Sequence, residues 1–119
     1  MDSKTKKAIE ALKNHLSAIE DITDEQEGEN WQAALKDALV LYTGGFSSMV
    51  KRLDELSFTT NQPYTVDGFV GIFNDYVYDP SSKKQFINLI NTTIEYIQNN
   101  GVYKKTKGNN MLQSFSNAQ

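Results

Sequence analysis

Residues 79–101 read DPSSKKQFINLINTTIEYIQNNG, and this stretch decides the fold class. Asp79 is a capping residue and Pro80 suits the first helical position. Gly101 suits the left-handed exit from a helix. Between them Phe86, Ile90, Ile94 and Ile97 recur at helical spacing. The segment therefore predicts one helix from start to stop.

The same grammar extends outward. Ile9, Leu12, Leu16 and Ile19 are spaced three, four and three, which predicts a first helix over Ser3 to Asp21. Its opening turn is basic and opposes the helix dipole, so a frayed first turn is expected. An acidic connector from Glu20 to Glu29 follows, with Thr23 or Asp24 available as a cap. Trp31, Leu35, Ala38 and Tyr42 share a face and predict a second helix, clearest over Asn30 to Thr43. Gly44-Gly45 should end it, because each glycine inside a helix costs about 1 kcal/mol. One long helix over 24–56, kinked at the glycines, is the alternative. A short third helix starts at Ser47 or Ser48 and carries Met49, Val50, Leu53 and Leu56.

Phe58 to Tyr64 reads as a loop, since Thr59, Thr60, Asn61, Gln62 and Pro63 carry turn chemistry without a period. Thr65 can cap a fourth helix, with Val66, Phe69, Val70, Phe73, Tyr76 and Val77 near 3.6-residue spacing. Gly68 and Gly71 weaken that helix. A strand over Tyr76-Val77-Tyr78 competes with it, because aromatic and β-branched residues favour strands. A lone short strand would have no partner, so the helix is preferred. The expected architecture is all-α: a compact antiparallel bundle of four to five helices, residues 1–103, followed by a flexible basic and polar tail, residues 104–119. Met111, Leu112 and Phe115 in that tail could form a short terminal helix or a partner-binding segment.

Composition narrows the function classes. The chain has 119 residues, which suits one domain. A net charge of −3 is too acidic for a duplex DNA-binding surface. Cys is absent, which removes disulfides and thiolate zinc sites and fits a reducing, cytoplasmic setting. Lys4, Lys6 and Lys7 are not followed by the unbroken apolar run of a signal peptide. No window resembles a membrane span. The Asn, Lys and Gln content points to an AT-rich genome, such as that of a low-GC bacterium or its phage.

No catalytic or metal motif appears, and no cofactor is called for. His15 is the single histidine, and its helical neighbours Ala11, Leu12, Ala18 and Ile19 offer no ligand. A calcium loop begun at Asp24 would place Gly28 and Leu35 where oxygen ligands belong. Gly44-Gly45-Phe46-Ser47-Ser48 lacks the Lys of a phosphate loop. No Gly-x-Ser-x-Gly elbow is present. Asp75 and Asp79 would sit i,i+4 on the fourth helix, where a solvated pair is the ordinary outcome. A non-enzymatic protein is expected.

The aromatic residues point to binding. Nine of the thirteen lie between Phe58 and Tyr103, more than one helical stripe can cover. On a helix Tyr76 and Tyr78 would point about 200° apart, so one must face outward. Tyr64, Tyr76, Tyr78, Tyr96 and Tyr103 are therefore the candidate partner-binding residues, on an aromatic surface of the last two helices. The expected partner is another protein, with inhibitor, immunity, chaperone and adaptor proteins as the class. A homo-oligomeric assembly protein is one alternative. An accessory subunit contacting single-stranded nucleic acid is a lesser one, because few Lys residues accompany the rings. A membrane partner is disfavoured, since no helix joins a basic face to a wide apolar one.

Overall fold

The computed structural model describes residues 2–104, and the protein is mostly helical with a small two-stranded sheet. Helix α1 spans Ser3–Ile19, α2 Glu25–Thr43, α3 Ser48–Asp54 and α4 Lys83–Asn100. A single 3-10 turn, Pro80–Ser82, leads into α4. Strands β1, Thr59–Asn61, and β2, Tyr76–Tyr78, pair antiparallel.

Capping chemistry places the helix ends. The Asp2 carboxylate accepts the Thr5 amide at 2.7 Å, so the first turn of α1 is capped despite its lysines. That bond holds the Asp2 carboxyl below its ordinary pKa. A depressed folded-state pKa adds stability at neutral pH and loses it as acid protonates the group. The Thr5 amide shift should therefore titrate with a midpoint below the usual aspartate range, as an NMR pH series would read.

Helix α2 starts five residues before the clearest expected stretch, because Asp24 accepts the Glu27 amide at 2.8 Å. Glu27 in turn accepts from the Thr23 amide and hydroxyl at 3.1 and 2.6 Å. Helix α2 stops at Gly44, so residues 24–56 form two helices and not one. Ser47 caps α3, accepting the Val50 amide at 3.3 Å.

The core is shared by all four helices. Leu12 and Ile19 of α1, Leu35 and Leu39 of α2, Leu53 of α3, and Phe86, Ile90 and Ile97 of α4 are fully buried. Helix α1 packs on both α2 and α4, and α3 on α2 and α4. Trp31 donates its indole N–H to the His15 carbonyl at 3.0 Å, so the start of α2 lies beside the end of α1. Lys83 Nζ donates to the Ile22 carbonyl at 2.7 Å, placing the start of α4 at that same end. Helices α2 and α4 thus both run opposite to α1.

An aromatic knot closes this end of the core. Phe58 stacks on Phe86 with centroids 4.2 Å apart. Trp31 meets both rings edge-on, at 5.8 and 5.5 Å. Gly28 makes the knot possible: a Cβ there would sit 2.7 Å from the Phe58 ring. Gly28→Ala gains about 1 kcal/mol of helix propensity but forces a locked ring aside. A net loss of about 1–2 kcal/mol is expected in urea denaturation, and a stabilised variant would contradict the packing.

The expected fourth helix over residues 65–77 does not exist. The competing strand over Tyr76–Tyr78 is the observed state, and its partner is Thr59–Asn61, which the sequence reading assigned to a loop. The chain is mostly helical, as the all-α expectation has it, but one of the expected helices is a β-hairpin. The region between the strands has no helical hydrogen bonds and no buried residue, so nothing there could cover a helical apolar stripe. The expected tail falls, from residue 105 onward, outside the described residues.

Candidate functional site

The hairpin is rooted in the helical body and then leaves it. Phe58, just before β1, is held in the aromatic knot. Tyr78, in β2, donates its hydroxyl to the Ile22 carbonyl at 3.2 Å. The Asp79 amide donates to the Phe58 carbonyl at 2.7 Å and ties the two roots together. Outward from there the register runs Thr59 to Tyr78, Thr60 to Val77, Asn61 to Tyr76. It continues through the Gln62 amide on the Asp75 carbonyl, at 2.6 Å, to a bridge between Tyr64 and Phe73. No residue is inserted, so the register is the same at the strands and at the isolated bridge.

The Phe69 amide closes a turn on the Val66 carbonyl at 3.1 Å. Gly68 has φ +86° at its third position, which side-chain-bearing residues rarely adopt. Tyr64 stacks on Phe73 across the strands at 5.6 Å, and Phe69 meets Phe73 edge-on at 6.3 Å. These rings touch each other and still face water.

Every residue from Asn61 to Tyr76 is exposed. Seven large apolar side chains stand on this arm: Tyr64, Val66, Phe69, Val70, Ile72, Phe73 and Tyr76. Phe69 is 67% exposed, Ile72 72%, and Val70 fully so. The arm carries Asp67 and Asp75, and no Lys or Arg occurs between Arg52 and Lys83. It is an apolar, weakly acidic projection.

A second apolar patch lies at the opposite end of the helices. Leu41 and Tyr42 of α2, Lys4 and Lys7 of α1, and Val102 and Tyr103 after α4 line a groove of about 330 Å³. Asp37, Val40, Gly45 and Phe46 join Leu41 and Tyr103 around an adjoining hollow of about 490 Å³. Phe46 is 96% exposed and Leu41 65%. The Tyr103 amide donates to the Tyr42 carbonyl at 2.7 Å, which pins the chain beyond α4 across the end of α2.

The five tyrosines expected to form one surface do not meet. Tyr64 and Tyr76 lie on the arm, Tyr78 at its root, Tyr96 on α4 and Tyr103 in the groove. Tyr76 and Tyr78 share a sheet face, because strand side chains repeat every two residues. Tyr78 is spent on the body, while Tyr76, two rungs further out, is clear of it. Sequence reasoning missed Val66, Phe69, Val70, Ile72 and Phe73 as surface residues by placing most of them on a helical stripe. Asp67-Gly68 between two apolar runs was the available hairpin signal.

The remaining chemistry is structural. His15 Nδ1 lies 2.9 Å from the Ala11 carbonyl, and its ring meets Trp31 edge-on. Among the described residues no cluster of three His, Cys, Asp or Glu is placed to hold a metal. No described helix is long and apolar enough to cross a membrane. No protein-family model, curated protein or solved structure matches this chain.

Proposed function

We propose that this chain is a small, non-enzymatic protein-binding module of the cytoplasm, of inhibitor, immunity, chaperone or adaptor type, whose contact surface is the arm Asn61–Tyr76. The scaffold is read as a compact antiparallel helical bundle presenting that arm. One observation carries the reading: seven large apolar side chains are exposed on an arm that, beyond its root, leaves the described helical body. Apolar patches of this kind on small proteins mark interaction sites. A two-stranded hairpin alone is marginally stable in water, so a covering partner supplies what the arm lacks. Aromatic anchors with few rotamers are well suited to that role.

The charge of the arm separates the partner classes. Contact with nucleic acid or an anionic lipid surface calls for Lys or Arg beside the rings. The arm has two carboxylates instead. A protein surface with apolar hollows and a basic rim fits it better. The test is capture of a specific partner from source-cell extract by wild type and by the variant Phe69→Ser, Val70→Ser, Ile72→Ser. Loss of capture with intact helical circular dichroism is expected. Capture that survives in this variant but fails in Tyr96→Ala would move the surface to α4.

A further inference from the structure

We infer that the arm of one copy docks in the α2-end groove of a second copy, giving a head-to-tail assembly. This deepens the protein-binding reading of the arm and rests on it. Both surfaces are apolar, both are exposed, and they occupy opposite ends of the same molecule. The arm is rooted beside Ile22 and the start of α4, whereas the groove joins the start of α1 to the end of α2. Helix α2 has 19 residues, which separates the two ends by about 28 Å. From the Asn61–Tyr76 rung to its tip the arm reaches about 20 Å. It also points away from the body, so it cannot fill its own groove.

Charge selects the second copy as occupant. Lys4 and Lys7 stand on the rim of the groove and form no ion pair among the described residues. The arm offers Asp67 and Asp75 with no cation of its own. The arrangement seats Phe69 and Val70 beside Leu41, Phe46 and Tyr103, with Asp67 of the turn toward Lys4 and Lys7. Arm-to-arm pairing lacks this match, because it brings two acidic arms together, and Pro63 removes a donor from the β1 side.

A heterologous contact of this kind closes into a ring or continues as a chain. Its signature is complementation. Sedimentation velocity on the full-length protein should show mass rising with concentration. The arm variant Phe69→Asp, Val70→Asp and the groove variant Leu41→Asp, Phe46→Asp should each be monomeric alone. Mixed one to one, they should form a dimer and nothing larger, since one intact arm and one intact groove remain. Lys4→Glu with Lys7→Glu, or added salt, should weaken wild-type association about tenfold. Circular dichroism confirms that each variant is folded.

Self-association that persists in the groove variant but is lost in the arm variant would mean arm-to-arm pairing and overturn the inference while sparing the binding reading. A wild type that stays monomeric at every concentration would also overturn it and leave a foreign protein as the arm's partner. Self-association untouched by the arm variant, together with unchanged partner capture, would overturn both.

Discussion

Phe86→Ala is expected to bring the protein close to unfolding. Phe86 is fully buried, stacked on Phe58 and met edge-on by Trp31. Deleting a buried Phe ring costs about 3–5 kcal/mol, because the lost transfer energy is compounded by the cavity left behind. A domain of this size has a total stability of roughly 5–15 kcal/mol. The variant should therefore lose about a fifth or more of its margin, with Tm lower by about 12 °C or more. Urea denaturation followed at 222 nm measures it. Tyr96→Ala is the control: its ring is exposed on α4, and a change within about 0.5 kcal/mol is expected. A loss below about 1 kcal/mol for Phe86→Ala would mean that the aromatic knot does not carry the core.

The knot also governs the arm. Phe58 is both a core residue and the residue before β1, so the cavity left by Phe86→Ala loosens the root of the hairpin. Backbone exchange at Thr59–Asn61 should rise together with exchange in α4. Separate behaviour of the two would show that the arm has its own anchorage through Tyr78.

Shaving the arm should have the opposite profile. Phe69→Ser, Val70→Ser, Ile72→Ser removes three side chains that contact water, so folding stability should change by less than about 1 kcal/mol. Covering one such side chain in a complex is worth about 1.5–3 kcal/mol. Three together should weaken partner binding at least 100-fold, even after discounting for incomplete burial. Calorimetric titration against the captured partner, or sedimentation where the partner is a second copy, gives the number. A stability loss of several kcal/mol in this variant would place the three residues in a packed interior. That would contradict the exposed arm.

The two profiles separate scaffold from surface within one short chain. The helices bury nearly every large residue at their facing positions, and apart from Tyr96 the exposed large apolar residues outside the arm gather at one end, at Val40, Leu41, Phe46 and Tyr103. The hairpin buries none between Asn61 and Tyr76. The buried core and the proposed docking surface are thus encoded in different segments that meet at Phe58.

Helices α1, α2, α3 and α4 were legible because their signals are local. Asp24 and Ser47 cap within three residues, and the apolar spacing of Ile9 to Ile19 or Phe86 to Ile97 needs no knowledge of distant chain. The break at Gly44-Gly45 follows from backbone propensity alone. The hairpin was not legible, since Val66, Phe69, Val70, Phe73 and Tyr76 satisfy a helical period as well as a pair of strands. What decides between them for β2 is a partner strand fifteen or more residues away. Strand β1, all Thr and Asn, shows no apolar alternation to announce itself.

The candidate surface divides the same way. An excess of rings in the C-terminal half was visible from composition, and it does emerge at the surface through Tyr64, Phe69, Phe73 and Tyr76. Which rings are spent on the body was not visible. Phe58 and Tyr78 are turned inward only because Phe86, Gly28 and Ile22 are there to receive them.

From the linear chain alone came the four helices, the break at Gly44-Gly45 and the buried stripes, because hydrogen bonds and side-chain periods within a few residues specify them. The arm, its anchored root and the distant groove belong to the tertiary structure. Pairing Thr59–Asn61 with Tyr76–Tyr78 is a nonlocal contact, and only the assembled helices define where a hairpin can be held and where it must leave.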